Sequence, residues 1–250
     1  MSSSHFRQQR ATDLYRLAVA LRKSQIRCEL NDFDSAVSQS IDSYNGGDTW
    51  GYSTGEVIFK RPDQPTEIVP QGASLSRIAL SVTLEGICDI GEQGDPLNDL
   101  GVNLKLIAGG GDSKKMKLFW YMDRSESKEG RLKLPVHPRY HFQFGGLRAK
   151  KMDTGEVVLP STPRIAHPPL DFCLSVDFVL SNFFKEEWVE LRKKGDHYYG
   201  IIRDSQRLFW KPYADASNIG WDRVSDHPPW QVVQVWPQLI PEDGIDDLHD

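Results

Sequence analysis

An alternation of apolar and polar side chains with a period of two dominates the middle of the chain. In the first run the even positions are apolar, namely Ile78, Leu80, Val82, Leu84, Cys88 and Ile90. Two further runs repeat the pattern, at Val102, Leu104 and Leu106 and at Met116, Leu118, Trp120 and Met122. Glycine and aspartate clusters at 91–99 and 109–113 separate the runs. This spacing predicts an antiparallel meander with one buried face.

Helical periodicity lies on both sides of these strands. Apolar residues at helical spacing predict amphipathic helices over 11–28 and 33–44, a long buried helix over 170–194 after Pro168-Pro169, and another helix over 197–210. Further strands are predicted at 57–59, 140–144 and 232–236. Because strands and helices do not alternate as βαβ units, the class predicted is α+β, with N-terminal and C-terminal helices covering the buried face of the meander.

The length of 250 residues suits one domain of this kind. We expect a single domain over 1–241, with a helical pair at 1–45, the sheet at 50–160 and helices at 168–212. Residues 242–250 hold five acidic side chains and no base, which predicts a disordered acidic tail.

Composition excludes several classes. The net charge is −5, and because the tail accounts for all of it, residues 1–241 are neutral, which argues against a dedicated DNA binder. No stretch approaches the roughly 18 apolar residues of a membrane span, and the first residues lack the apolar segment of a secretory signal, so we expect a cytoplasmic protein. Three widely spaced cysteines predict reduced thiols. Phosphate-loop, dinucleotide-binding and zinc motifs are absent, so no cofactor and no metal are predicted.

A polar cluster between residues 119 and 171 is the best candidate for a site. Asp123 ends one strand, His137 and His141 flank the start of the next, and His167 precedes the buried helix. If these strands pair, their ends converge on one cleft beside a helix N-terminus, which suits an anion. Arg139 and Arg164 of the same cluster, and Asp177 of the long helix, are candidate binding residues.

Each candidate also has a structural interpretation. His141 between Arg139 and Gln143 fits a solvated strand face, and His167 fits a turn or capping residue. An extended segment separates His137 and His141 by roughly 13 Å, which disfavours a two-histidine metal site. Asp177 lies among apolar neighbours in the long helix, so its carboxylate needs a partner, and an ion pair with Arg139 or Arg164 is expected.

The segment LFWYMDRSESKEGRLKLPVHPRYHFQFGG and the later PRIAHPPLDF carry a resemblance. Over about residues 117–184 they resemble uncharacterised bacterial proteins and toxin-like members of toxin–antitoxin modules. In those proteins a strand ending in aspartate leads to an HPxxH strand and then to a helix introduced by prolines. The resemblance implicates Asp123, His137, His141 and His167 by position.

Two functions remain open at this point. The first is a cytosolic bacterial accessory protein of a stress or phage-defence operon, without chemistry of its own, that binds a protein partner; seven tryptophans are compatible with interface anchors. The second is a metal-independent RNase. There His141 and either His137 or His167 would exchange protons, Asp123 would orient an imidazole, and Arg139 or Arg164 would stabilise charge on phosphorus. RNA is thus a possible partner, and no membrane is expected.

Overall fold

A computed structural model describes residues 2–31, 33–41, 47–60, 73–88, 95–110, 115–124, 138–145, 164–194 and 196–219. Within them the chain has the α+β fold that its sequence predicts. The strands are β1 (Arg27–Glu29), β2 (Thr49–Ser53), β3 (Val57–Lys60), β4 (Ala73–Ile87), β5 (Leu97–Gly110), β6 (Lys115–Arg124), β7 (Tyr140–Phe144) and β8 (Ile165–Ala166). The helices are α1 (Ser3–Lys23), α2 (Phe33–Ile41), α3 (Phe172–Phe183), α4 (Lys185–Lys194), α5 (Asp196–Ser205) and α6 (Lys211–Ile219), with a π-helical turn (Gln206–Trp210) joining the last two.

The described strands all pair antiparallel; β4 to β7 form the predicted meander, and β8 adds one further strand beside β7. β2 and β3 lie one after the other along the outer edge of β4. Thr54 bridges the break between them, because its amide donates to Val82 O and its hydroxyl accepts from the Val82 amide, both at 3.0 Å. These two bonds keep the long central strand paired along this edge.

The helices cover the face of the sheet that carries the even-numbered apolar residues. Aromatic contacts join the two layers: Phe59 with Phe184, Trp50 with Phe209, and Phe142 with Phe178, at centroid distances of 6.1, 6.5 and 5.3 Å. The buried side chains form one continuous cluster that includes residues of α1, α2, the sheet, α3, α5 and α6, and Trp188 and Leu191 of α4 pack against it. The other face carries mostly polar side chains, of which Thr83 is exposed, Asn103 and Tyr121 are half-buried, and His141 and Gln143 are buried. It is called the outward face below.

Three helix predictions differ from the structure. The first helix ends at Lys23, not at Cys28, because Cys28 pairs with Phe59 in the two-stranded contact of β1 and β3. The long helix predicted over 170–194 breaks at Phe184, whose backbone leaves the helical region while its ring packs on Phe59. The helix predicted to end near Trp210 instead continues to Ile219 through the π-helical turn.

Other predictions fall in part outside the described residues. The strand proposed at 232–236 and the acidic tail at 242–250 lie there, and so does the C-terminal end of the helix predicted over 33–44. Cys28, Cys88 and Cys173 are free thiols, with the last two buried. No helix in the described part of the chain is long and apolar enough to cross a bilayer.

Candidate functional site

The predicted polar cluster centres on a cross-strand pair. Asp123 of β6 and His141 of β7 are direct neighbours in the sheet, and Asp123 Oδ1 lies 2.9 Å from His141 Nε2. Asp123 Oδ1 makes no hydrogen bond within the described residues, so its contact with the imidazole is electrostatic. The Asp123 side chain is 46% exposed and that of His141 only 2%. Asp123 therefore lies beside an imidazole, whereas the interpretation of His141 as a solvated residue is wrong.

The second ring nitrogen of His141 also faces an acceptor. Nδ1 lies 3.3 Å from Pro138 O, on the segment that leads into β7. Both nitrogens of this buried imidazole are therefore turned toward oxygen atoms of the protein. A general base needs one nitrogen directed at a substrate, and this arrangement presents none.

His167 lies on the opposite side of the sheet. Its ring contacts Phe142 and Phe178 in edge-to-face geometry at 5.4 and 6.5 Å, and Phe178 belongs to α3. Successive side chains of a strand point to opposite faces, so His141 projects away from the helices while Phe142 projects toward them. Since the sheet separates the two histidines, they cannot exchange protons across one cleft. Burial lowers the pKa of His167, whose Nδ1 lies 2.6 Å from Pro168 O.

Arg139 belongs to a separate ion-pair network. Its Nε and that of Arg124 both contact Asp95 Oδ2, at 2.5 and 3.1 Å, and Tyr140 donates its hydroxyl to Asp95 Oδ1 at 2.5 Å. Burial opposes the charge of Arg124, but Asp95 and Tyr140 hold its pKa above the ordinary value. Burial beside Asp95 raises the pKa of Tyr140, which therefore stays neutral. This network connects Asp95, just before β5, to the last residue of β6 and to the start of β7.

Asp177 has a partner, although not the predicted one. Its carboxylate binds Arg192 at 3.0 Å and accepts hydrogen bonds from Trp188 Nε1 at 2.7 Å and from the Tyr198 hydroxyl at 3.0 Å. Neither Arg139 nor Arg164 supplies the ion pair. Arg192 was not predicted because α4 turns back on α3 only after the break at Phe184. Asp177 therefore joins α3, α4 and α5 rather than belonging to the Asp123 cluster.

His137 lies outside the described residues. Arg164 immediately precedes β8, and its Nε is buried without a hydrogen-bond partner. The described residues contain no cluster of three or more histidine, cysteine or carboxylate side chains that would hold a metal ion.

Polar side chains form two cross-strand rows on the outward face. One row runs through Ser81, Asn103, Tyr121 and Gln143, and the next runs through Thr83, Gly101, Asp123 and His141. Asn103 donates to Ser81 at 3.4 Å and the Tyr121 hydroxyl donates to Gln143, so these bonds fix the first row. A Cβ built on Gly101 would meet open space, which leaves an opening beside Asp123.

A second polar group lies inside the core, and sequence analysis missed it. Arg10 and Asp13 of α1, Asp171 at the N-cap of α3, and Ser205 at the end of α5 are all buried, with 8, 3, 3 and 0% exposed. A cavity of about 10 Å³ lies beside Arg10, Asp13 and Asp171, and Tyr52 and Cys173 also line it. A volume of that order holds at most one water molecule. The signal available in the sequence was an acid on the apolar stripe of the first helix, Asp13, and an acid directly before a buried helix, Asp171.

Comparison with known proteins gives no relative. No protein-family model, no curated protein and no solved structure matches this chain. The α+β fold with its antiparallel meander is therefore the class that can be assigned, and function has to be argued from the site itself.

Proposed function

We propose that this protein is a binding component without chemistry of its own, and that the outward face of the sheet contacts a protein partner. The observation that carries the proposal is the pair of cross-strand rows around Gly101. In the first row the side-chain hydrogen bonds Asn103–Ser81 and Tyr121–Gln143 are already made. Polar and aromatic side chains held in place in this way suit a protein–protein contact, whereas small-molecule sites are concave and mostly apolar.

The side chains on this face support recognition in two ways. Tyr121 and Phe119 are half-buried aromatics of β6 on the outward side, and aromatic residues are enriched in interfaces. The Tyr121–Gln143 hydrogen bond restrains both side chains before any partner arrives. Restraint of this kind lowers the entropy lost on binding. The opening at Gly101 offers room for one side chain of the partner beside the Asp123 carboxylate.

The proposal is tested by site-specific photocrosslinking in the native host. A photoreactive phenylalanine analogue replaces Tyr121, and the matched control carries it at Glu186, an exposed residue of α4. We expect a crosslinked protein adduct of one defined mass from position 121 and none from position 186. The decisive second step is Gly101→Arg, which fills the opening and should abolish the adduct. An adduct that persists with Gly101→Arg, or equal adducts from both positions, would overturn the proposal.

The RNase hypothesis keeps one supporting observation, which is the 2.9 Å approach of Asp123 to His141. Two features oppose it: both His141 nitrogens face protein oxygens, and His167 lies across the sheet. Its test is induced expression of the wild-type chain beside His141→Ala, with total RNA examined on a gel. RNA fragmentation and growth arrest that depend on His141 would establish the enzyme and displace the binding proposal. Intact RNA in both strains is the result we expect.

The cellular setting we propose is the cytoplasm of a bacterium, within a stress or phage-defence operon. It is supported by the resemblance of residues 117–184 to toxin-like proteins and by the finding that no described helix could span a membrane. Co-expression with each neighbouring gene product identifies the partner. Retention of one product by wild type, with loss in Gly101→Arg, is the expected result, and retention unaffected by that substitution would contradict the assignment of the surface.

A further inference from the structure

Three elements meet at the buried group of Arg10, Asp13, Asp171 and Ser205, called the interior carboxylate cluster below. Arg10 binds Asp13 within α1, and Gln9 also donates to Asp13 at 3.0 Å. Asp171 caps α3 by accepting from the Leu174 amide at 2.8 Å, and its other oxygen accepts from the Ser205 hydroxyl at 3.0 Å. The cluster therefore connects α1, α3 and α5 in the interior.

The charges in the cluster do not balance when both acids are ionised. The titratable groups that face it are Arg10, Asp13 and Arg16 of α1, Tyr52 of β2, Cys173 of α3 and Asp204 of α5. Burial raises the pKa values of Tyr52 and Cys173 well above their usual range, so both stay protonated. Inside the cluster one guanidinium then faces two carboxylates. A buried excess negative charge is costly, and binding one proton removes it.

Asp171 is the acid that takes this proton. Burial, and to a smaller extent the charge of Asp13, raise its pKa to about 6 against the hydrogen bonds from Leu174 and Ser205 and the charge of Arg10. Burial raises the pKa of Asp13 above its ordinary value as well, and the neighbouring charge of Arg10 opposes that rise. Directly after Ser205 the helix widens into the π-helical turn, a rare conformation that is frequent at functional positions.

We propose that the interior carboxylate cluster is a pH-dependent lock on the N-terminal helix. With one carboxyl protonated, α1 is held against α3 and α5, and with both ionised their repulsion weakens this contact. Acidification thus tightens the docking of α1, and neutral pH loosens it. The sign follows from linkage: a carboxyl with a raised pKa in the folded state binds more protons folded than unfolded, so stability falls as pH rises from about 4 to about 6.

Hydrogen exchange of the full chain tests the lock. With intrinsic exchange rates corrected for pH, the opening equilibrium of α1 amides should rise about tenfold between pH 5 and pH 7. Amides of β4 and β5 serve as the internal reference and should change less. Asp171→Asn, which keeps an oxygen to cap α3 but cannot ionise, should abolish the pH dependence. Glu186→Gln, which removes an exposed carboxylate on α4, should leave it unchanged.

A second readout remains if Asp171→Asn fails to fold. The side-chain carboxyl carbon of Asp171, followed by NMR in the wild-type chain, should titrate well above the ordinary value for aspartate. Asp13→Asn should move that midpoint downward, because it removes the neighbouring negative charge. An Asp171 midpoint near 4 in the wild type, a midpoint unmoved by Asp13→Asn, or α1 opening that is independent of pH would each overturn the proposal.

Discussion

Asp123 and His141 are cross-strand neighbours with opposite exposures, a half-exposed carboxylate beside an imidazole that is 2% exposed. The two side chains should therefore contribute unequally to the free energy of unfolding. His141→Ala removes a buried ring and its polar contacts and should lower the free energy of unfolding by about 2–3 kcal/mol. Asp123→Asn keeps the shape and should cost no more than about 1 kcal/mol. Urea denaturation measures both, and equal losses would show that the carboxylate contributes more than its exposure implies.

Gly51 and Gly101 provide a matched pair of strand glycines. A Cβ at Gly51 of β2 would lie 2.6 Å from Leu84 O, a backbone atom that cannot move aside, whereas a Cβ at Gly101 meets open space. Gly51→Ala should destabilise by about 2 kcal/mol or more through overpacking. Gly101→Ala should be neutral or stabilising by about 0.5 kcal/mol, because it reduces the entropy of the unfolded chain. Thermal unfolding of the two variants checks the contrast, and similar losses would contradict the packing described here.

The partner of Asp177 is open to a double-mutant cycle. Asp177→Ala leaves the Trp188 and Tyr198 donors and the Arg192 charge without their acceptor, so we expect a loss of about 2–3 kcal/mol. In the double variant with Arg192→Ala, the loss in unfolding free energy should be smaller than the sum of the two single losses by about 1 kcal/mol. Arg139→Ala is the control, because Arg139 binds Asp95, and its effect should add to that of Asp177→Ala. A coupling energy between Asp177 and Arg139 would instead support the ion pair that the sequence predicted.

His167 should contribute a pH dependence opposite in sign to that of Asp171. Burial lowers its pKa in the folded state, so between that value and 6.5 the unfolded chain binds more protons and stability rises with pH. His167→Phe keeps an aromatic ring against Phe142 and Phe178 without titrating. From pH 5 to pH 7 the free energy of unfolding of the wild type should therefore rise relative to that of this variant. Thermal midpoints at several pH values measure it, and a difference that is constant with pH would refute the assignment.

Much of the fold was accessible from local pattern. The period-two runs at 78–90, 102–106 and 116–122 became β4, β5 and β6, and the strand at 140–144 was predicted with its observed bounds. Alternation is a strong signal because one-sided burial dictates every second residue of a strand. β1, β2 and β8 were missed. They are two to five residues long, and pairing with a neighbour, not any periodicity of their own, makes them strands.

The candidate site was predictable only in part. The sequence placed Asp123 and His141 at strand ends that would converge if the two strands paired, and β6 and β7 do pair. It did not indicate that His167 would lie across the sheet, since that depends on which face of β7 the helices cover. The interior carboxylate cluster was beyond local reasoning, because Arg10, Asp171 and Ser205 are far apart in the sequence and meet only after the helices pack.

The sequence by itself determined the secondary-structure class, the meander and its buried face, because the alternation of side chains along a strand is a local property of the chain. The tertiary structure decided which polar residues became partners. Asp177 forms an ion pair with Arg192, and Arg139 forms one with Asp95. Asp171 is buried near the charge of Asp13. Ion pairs and pKa shifts depend on distance and desolvation in three dimensions, and the order of residues along the chain does not encode either quantity directly.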